Sequence, residues 1–232
     1  MNQKLIFSVL FLIVSVTEIV AALNGNKIVV YFAKPLILLS IIFYVQLTRN
    51  ERNVRGLPFF FVGLFFALSG DIFLMIQKKD LFIPGLASFL VMQVLYACSF
   101  YLDHRQKLIS SLAIIRLAPF ILFALVLYFI LQPHLSGMVM KIAVGIYALS
   151  IATMVWMSLL RKGHVSNQSF LLVFAGAIFF MISDSVIAID KFIAAVPLNT
   201  IWVMSTYCLA QYLIVMGFLK TKQTGLHRSV SF

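Results

Sequence analysis

Of 232 residues, 62% are hydrophobic and 11% charged, and the mean hydropathy is +1.06. A soluble domain of this length needs a charged surface, which seven acidic residues cannot supply, so the solvent for most of the surface is lipid. The net charge of +11 sits in short basic clusters between apolar runs, as membrane topology and anionic headgroups require; no basic helix or aromatic-basic surface is present to hold a phosphate backbone, so no nucleic-acid partner is expected.

Eight runs are long and apolar enough to cross a bilayer: residues 5–23, 28–47, 57–76, 81–101, 110–131, 138–160, 168–189 and 197–219. The expected fold is an all-α integral membrane protein, an eight-transmembrane-helix bundle forming one polytopic domain over residues 1–232. The first run follows Lys4 and ends near Ala21-Ala22, superficially like a signal peptide. It is longer than a usual signal core and contains Glu18, so a retained helix is expected. The second run carries Lys34 beside Pro35; the proline loosens the helix and frees a carbonyl near the amine. The third places Gly63, Ala67 and Asp71 at i, i+4 and i+8, a small-residue face that lets another helix approach and turns Asp71 into the bundle. On the fourth, Gln93 and Tyr96 share a face. Arg116, near one end of the fifth, can snorkel to the interface. The sixth holds Tyr147. The seventh repeats the Gly-to-Asp spacing with Gly176 and Asp184, although Phe180 replaces the middle small residue. The eighth puts Tyr207 and Gln211 on one face.

Cys98 and Cys208 lie inside spans and read as packed free thiols. His104, His134, His164 and His227 fall in loops or the tail at no metal-ligand spacing. An even number of crossings puts both termini on one side. That side carries eleven basic residues against five opposite, which makes it cytoplasmic by the positive-inside rule. A parallel duplication is also legible: Gly63 and Asp71 recur 113 residues later as Gly176 and Asp184, and Tyr96 and Tyr207 match within a two-residue slip. Four helices per unit would relate the halves by an axis along the membrane normal.

An ionisable side chain at a helix centre costs about 2.5–3.5 kcal/mol on insertion scales, so each needs a reason. Glu18, Lys34, Asp71 and Asp184 lie five or six residues from the non-cytoplasmic ends of their expected spans, about 7–10 Å deep at 1.5 Å per residue. One layer implies one site. Gln93, Tyr96, Tyr147, Tyr207 and Gln211 fall somewhat deeper and could line the bottom of a cavity. Structural ion pairing is the alternative, with Lys34 neutralising Asp71 or Asp184 and Glu18 reaching toward headgroups. One lysine cannot balance three carboxylates, however, and a neutral carboxylic acid beside an ionised one is a general acid/base pair.

The same positions carry a resemblance. Lys34-Pro35; Gly70-Asp71 with Phe73-Leu74-Met75; Gly85 with Ser88-Phe89; Tyr96; Gly176-Ala177-Ile178-Phe179-Phe180 leading into Ser183-Asp184-Ser185 and Lys191-Phe192; and Tyr207 with Ala210-Gln211 together resemble the YhhN-type family of multi-pass membrane proteins, which includes the lysoplasmalogenases. Two positions depart from that pattern: Gln93 stands where members often have histidine, and Tyr207-Cys208 where many have two tyrosines. The resemblance implies hydrolysis of a lysoplasmalogen vinyl ether to a fatty aldehyde and a glycerophospho-alcohol, with a lysophospholipid substrate drawn from the bilayer. Under it, Asp71 and Asp184 deliver the proton and stabilise the cation. Lys34 tunes them or meets the lipid phosphate, and Tyr96, Tyr147, Tyr207, Gln211, Gln93, Glu18 and Ser183 support water and substrate. No metal or organic cofactor is needed. The expected location is a cell membrane, specifically a bacterial inner membrane. From another class, a small-molecule or lipid transporter or flippase with an intramembrane charged site is the competing expectation.

Overall fold

The computed structural model describes residues 3–49, 54–76, 81–103 and 111–221. Arg52, Lys78, Lys79, Arg105, Lys107, Lys222 and Arg228, which entered the sidedness count, lie outside them, as do His104 and His227. The described residues form helices α1 (Gln3–Leu23), α2 (Lys27–Thr48), α3 (Leu57–Met75), α4 (Phe82–Asp103), α5 (Ser111–Ile115), α6 (Ala118–Leu131), α7 (Gly137–Leu160), α8 (Asn167–Phe192) and α9 (Asn199–Leu219). Eight helical segments are long and apolar enough to cross a membrane, the fifth running over Ala113–His134. The chain is a multi-pass helical membrane protein.

Local chemistry sets the ends. After α1, Gly25 takes a φ of +67°, a conformation open to a residue without Cβ. Asn26 then caps α2, its side chain accepting from the Val29 amide at 3.2 Å. α2 runs unbroken through Pro35. The fifth span is not the single helix expected over 110–131. It turns at Arg116-Leu117 between α5 and α6, because Pro119 has no amide to donate back along α5 and its ring clashes with the preceding turn. The seventh span is longer than expected: α8 continues past residue 189 to Phe192. Falling hydropathy at Asp190-Lys191 marks the end of the apolar run, not of the helix, since nothing there breaks it before the loop that contains Pro197.

In the bundle α1 packs on α2 and α2 on α3, while α6 packs on α7 and α7 on α8; α3 lies along α4, and α8 along α9. Between these groups, α4 packs on α7 and α9 packs on both α1 and α2. Large apolar side chains such as Leu12, Phe32, Phe43, Phe129 and Val139 are exposed, the outward face of a protein in lipid. With lipid as solvent, close packing of small residues must hold helices together. A Cβ on Gly176 would lie 2.8 Å from the Ala210 carbonyl oxygen and 2.9 Å from the Ile214 amide, and one on Gly63 would meet the Tyr96 ring at 2.9 Å. α1 is anchored by Phe7, which stacks on Tyr44 at 4.2 Å, and by the Ser8–Tyr212 hydroxyl pair at 2.8 Å.

Two residues sit differently from the sequence reading. Arg161, counted among interfacial cations, is fully buried. Its guanidinium donates to the Ser169 carbonyl at 3.3 Å, the Ser169 hydroxyl at 3.0 Å and the Thr221 hydroxyl at 2.9 Å, and faces the rings of Phe100 and Phe218. It ties the end of α7 to the start of α8 and the end of α9. Cys98, expected to be packed, is exposed, whereas Cys208 is buried.

Candidate functional site

Asp71 sits four residues before the end of α3, on the face that begins with Gly63 and Ala67. It is 4% exposed, and its Oδ2 accepts the Tyr207 hydroxyl of α9 at 2.8 Å. The small residues N-terminal to it let α4 close over that face, so the carboxylate turns inward rather than to lipid. The seventh-span counterpart is built similarly. Gly176 lets α9 come into contact with α8, and Asp184, two turns on, projects toward α4 and α7. Its Oδ2 accepts the Tyr147 hydroxyl at 2.5 Å and the Gln93 side-chain amide at 3.3 Å. Among the described residues the Oδ1 atoms of both aspartates carry no hydrogen bond, which leaves one oxygen of each for a ligand or water.

The two carboxylates lie within electrostatic reach of one another. Lys34 is half-buried on α2 and acts electrostatically on both Asp71 and Glu18. Glu18 is buried on α1, and its Oε2 has no hydrogen-bond partner among the described residues. The four ionisable groups therefore surround one region, although Asp184 lies eight residues from the end of α8, about a turn deeper than the helix end expected at 189 would put it. A low-dielectric interior with three carboxyls and one ammonium cannot hold every group charged.

The other expected residues divide into two groups. Gln93 and Tyr147 bond Asp184 directly, and Tyr207 bonds Asp71. Tyr96 and Gln211 are fully buried and bond each other at 3.1 Å, one layer removed from the aspartates. Ser183 donates to the Val203 carbonyl at 3.1 Å and thus joins α8 to α9.

Two cavities adjoin these groups. One is lined by α4, α6, α7 and α8 with Leu74 of α3 and includes Asp184 and Tyr147; the other includes Glu18, Lys34, Asp190, Lys191 and Asn199. The last three were not expected at the site. Asp190 accepts the Val196 amide at 2.8 Å and the Asn199 side chain at 2.7 Å, folding the loop before α9 back onto α8. Lys191 lies 5.1 Å from the Phe82 ring centroid. Lys191-Phe192 is one piece of the resemblance, but Asp190-Lys191 reads equally well as the polar end of a span. Only the extra turn of helix brings it to the cavity.

A family model described as the YhhN family matches residues 29–218. The chain belongs to the YhhN family. Among curated proteins it is similar to lysoplasmalogenase TMEM86A of Homo sapiens, 34% identical over 72% of this chain and 68% of that one. Lysoplasmalogenase TMEM86A of Bos taurus is 33% identical over 70% of this chain and 66% of that one. Lysoplasmalogenase TMEM86B of Homo sapiens is 32% identical over 60% and 55%. The chain thus spans about two thirds or less of these relatives' lengths, and no solved structure matches it significantly. Several of the residues that carry the YhhN resemblance are packing contacts. A Cβ on Gly70 would lie 2.7 Å from the Phe89 ring, and one on Gly85 2.7 Å from Leu74, so this part of the motif seats α3 on α4 and aims Asp71.

Proposed function

We propose that this YhhN-family protein is a membrane lipid hydrolase that cleaves the vinyl ether of a lysoplasmalogen-type lysophospholipid. The observation that carries the reading is the pair of buried aspartates on α3 and α8. Each is held at one oxygen by a tyrosine hydroxyl, and the two carboxylates and one ammonium lie within electrostatic influence of one another. The curated relatives named lysoplasmalogenases support the substrate class, and nothing among them favours a transporter.

Hydrolysis begins with transfer of a proton to the vinyl carbon two bonds from the ether oxygen. The π pair forms the new C–H bond, leaving an oxocarbenium ion. Asp184, which faces the apolar cavity, is the donor in this reading. Water then adds to the cation and returns a proton to the Asp184 carboxylate. The hemiacetal collapses to aldehyde and alcohol, so one water is consumed and the acid regenerated. Tyr147 and Gln93 fix the carboxyl orientation, and Asp71 with Tyr207 supplies negative charge that stabilises the cation through a low dielectric. Lys34 balances the Asp71–Glu18 side of the cluster. The positive-inside count supports a site opening toward the non-cytoplasmic face. Matching helix contacts in the two halves support an origin by parallel duplication.

The deciding experiment measures fatty-aldehyde release from a lysoplasmenyl lipid by purified protein in detergent. Wild type releases aldehyde; Asp184→Asn loses roughly 100- to 10,000-fold, the range of a missing general acid, and Asp71→Asn also falls steeply. No aldehyde from well-folded wild type overturns the substrate, while turnover that survives both substitutions overturns the mechanism.

A further inference from the structure

The two cavities beside Asp184 differ in chemistry. The first is walled by hydrocarbon apart from Asp184, Ser185 and two tyrosines. On α8 its lining runs from Met181 to Phe192, roughly 16 Å along the axis. The second contains two cations and two carboxylates, namely Lys34, Lys191, Glu18 and Asp190. Leu74, Phe82 and Ile187 line both, so those three side chains stand between the cavities, with Ile187 less than one helical turn along α8 from Asp184.

We propose that the two cavities form one seat for a single-chain ether lysophospholipid, with the hydrocarbon chain in the groove between α6, α7 and α8 and the glycerophospho group in the polar cavity. This rests on the hydrolase reading and gives it a geometry. The ether function lies at the Leu74–Phe82–Ile187 neck, where the Asp184 carboxyl is the polar group on the chain side. The phosphate meets Lys34 and Lys191. The buried Glu18 Oε2, which takes no hydrogen bond from the described protein, needs a donor from the occupant, and the free glycerol hydroxyl of a lysolipid supplies one. A second chain on the adjacent glycerol carbon would have to enter the charged cavity, where desolvating the cations has no compensation. The seat therefore selects lyso over two-chain lipids. Ala148 and Ala188 sit on the groove wall, where a larger side chain would narrow it.

The test is photolabelling of the full protein in detergent with a hexadecyl ether lysophosphoethanolamine carrying a diazirine at the chain terminus. Its saturated ether cannot be hydrolysed, so labelling does not depend on turnover. Label is expected on groove residues of α6 and α7 such as Leu127 and Val144. Unlabelled hexadecyl lysolipid competes, and the diacyl lipid with the same headgroup does not. Ala148→Leu and Ala188→Leu each reduce specific label about tenfold, the loss expected when two chain methylenes are displaced. Label spread over lipid-facing surfaces, or equal competition by diacyl lipid, overturns the seat. The wild-type map and its competition decide this by themselves, so the seat stands or falls on them even where a variant fails to fold. Specific groove label together with no aldehyde from wild type upholds the seat and rejects the hydrolase.

Discussion

Asp184 depends on its neighbours for orientation. The Tyr147 hydroxyl and the Gln93 amide both bond its Oδ2, and a hydrogen bond to a charged group is worth about 1.5–3 kcal/mol. Tyr147→Phe is therefore expected to lower kcat for aldehyde release by about tenfold or more with little change in KM, since the phenol holds the acid rather than the lipid. A rise in KM at constant kcat would reassign Tyr147 to substrate binding. The departure at position 93 is also testable. A neutral imidazole can present an N–H as the Gln93 amide does, so Gln93→His should keep activity within about threefold, whereas Gln93→Leu loses about tenfold. Equal loss in both variants would mean that shape, not donation, is what the site needs there. The aspartates and their tyrosine partners stand out in the sequence because charge inside an apolar span demands a reason. Which tyrosine serves which aspartate does not: Tyr207 crosses from α9 to α3, and neither spacing nor periodicity encodes that pairing.

At the scale of the helix, the glycines decide how closely the aspartate-bearing helices are held. The position that Gly176 gives up to α9 is backbone, a carbonyl and an amide that cannot swing aside; over-packing of this kind costs about 1–3 kcal/mol. Gly176→Ala should lower the unfolding midpoint in detergent and reduce activity with it, as the helix carrying Asp184 is displaced. An unchanged midpoint would show that α8 and α9 can separate freely. The Gly63–Ala67–Asp71 face is readable from residue spacing alone. The break between α5 and α6 and the extra turn of α8 are harder to read, because hydropathy reports where lipid ends rather than where hydrogen bonding ends. Asp190 and Lys191 leave the apolar run but stay in the helix.

Across the whole molecule, Arg161 joins the neighbouring ends of α7 and α8 to the end of α9, with Thr221 lying 60 residues further along the chain. Removing its donors breaks the hydrogen bonds to the Ser169 carbonyl and to the Ser169 and Thr221 hydroxyls, and a hydrogen bond to a charged group is worth about 1.5–3 kcal/mol. Arg161→Met is expected to lower the unfolding midpoint markedly. Arg161→Lys should not restore it, since a lysine cannot reproduce the planar fork on two residues or its stacking against Phe100 and Phe218. Wild-type stability in both variants would make the cluster incidental. The class of the protein, its eight crossings and its inward-facing charges were determined by the sequence by itself, because a lipid solvent permits little besides apolar helices and penalises every charge placed among them. Only the tertiary structure decided which polar groups pair, that Arg161 is a buried clamp, and that a charged cavity and a hydrocarbon groove share a wall of three side chains near Asp184. Those features depend on contacts between helices far apart in the chain, and a pattern of residue types along one helix carries no record of the side chains another helix brings to it.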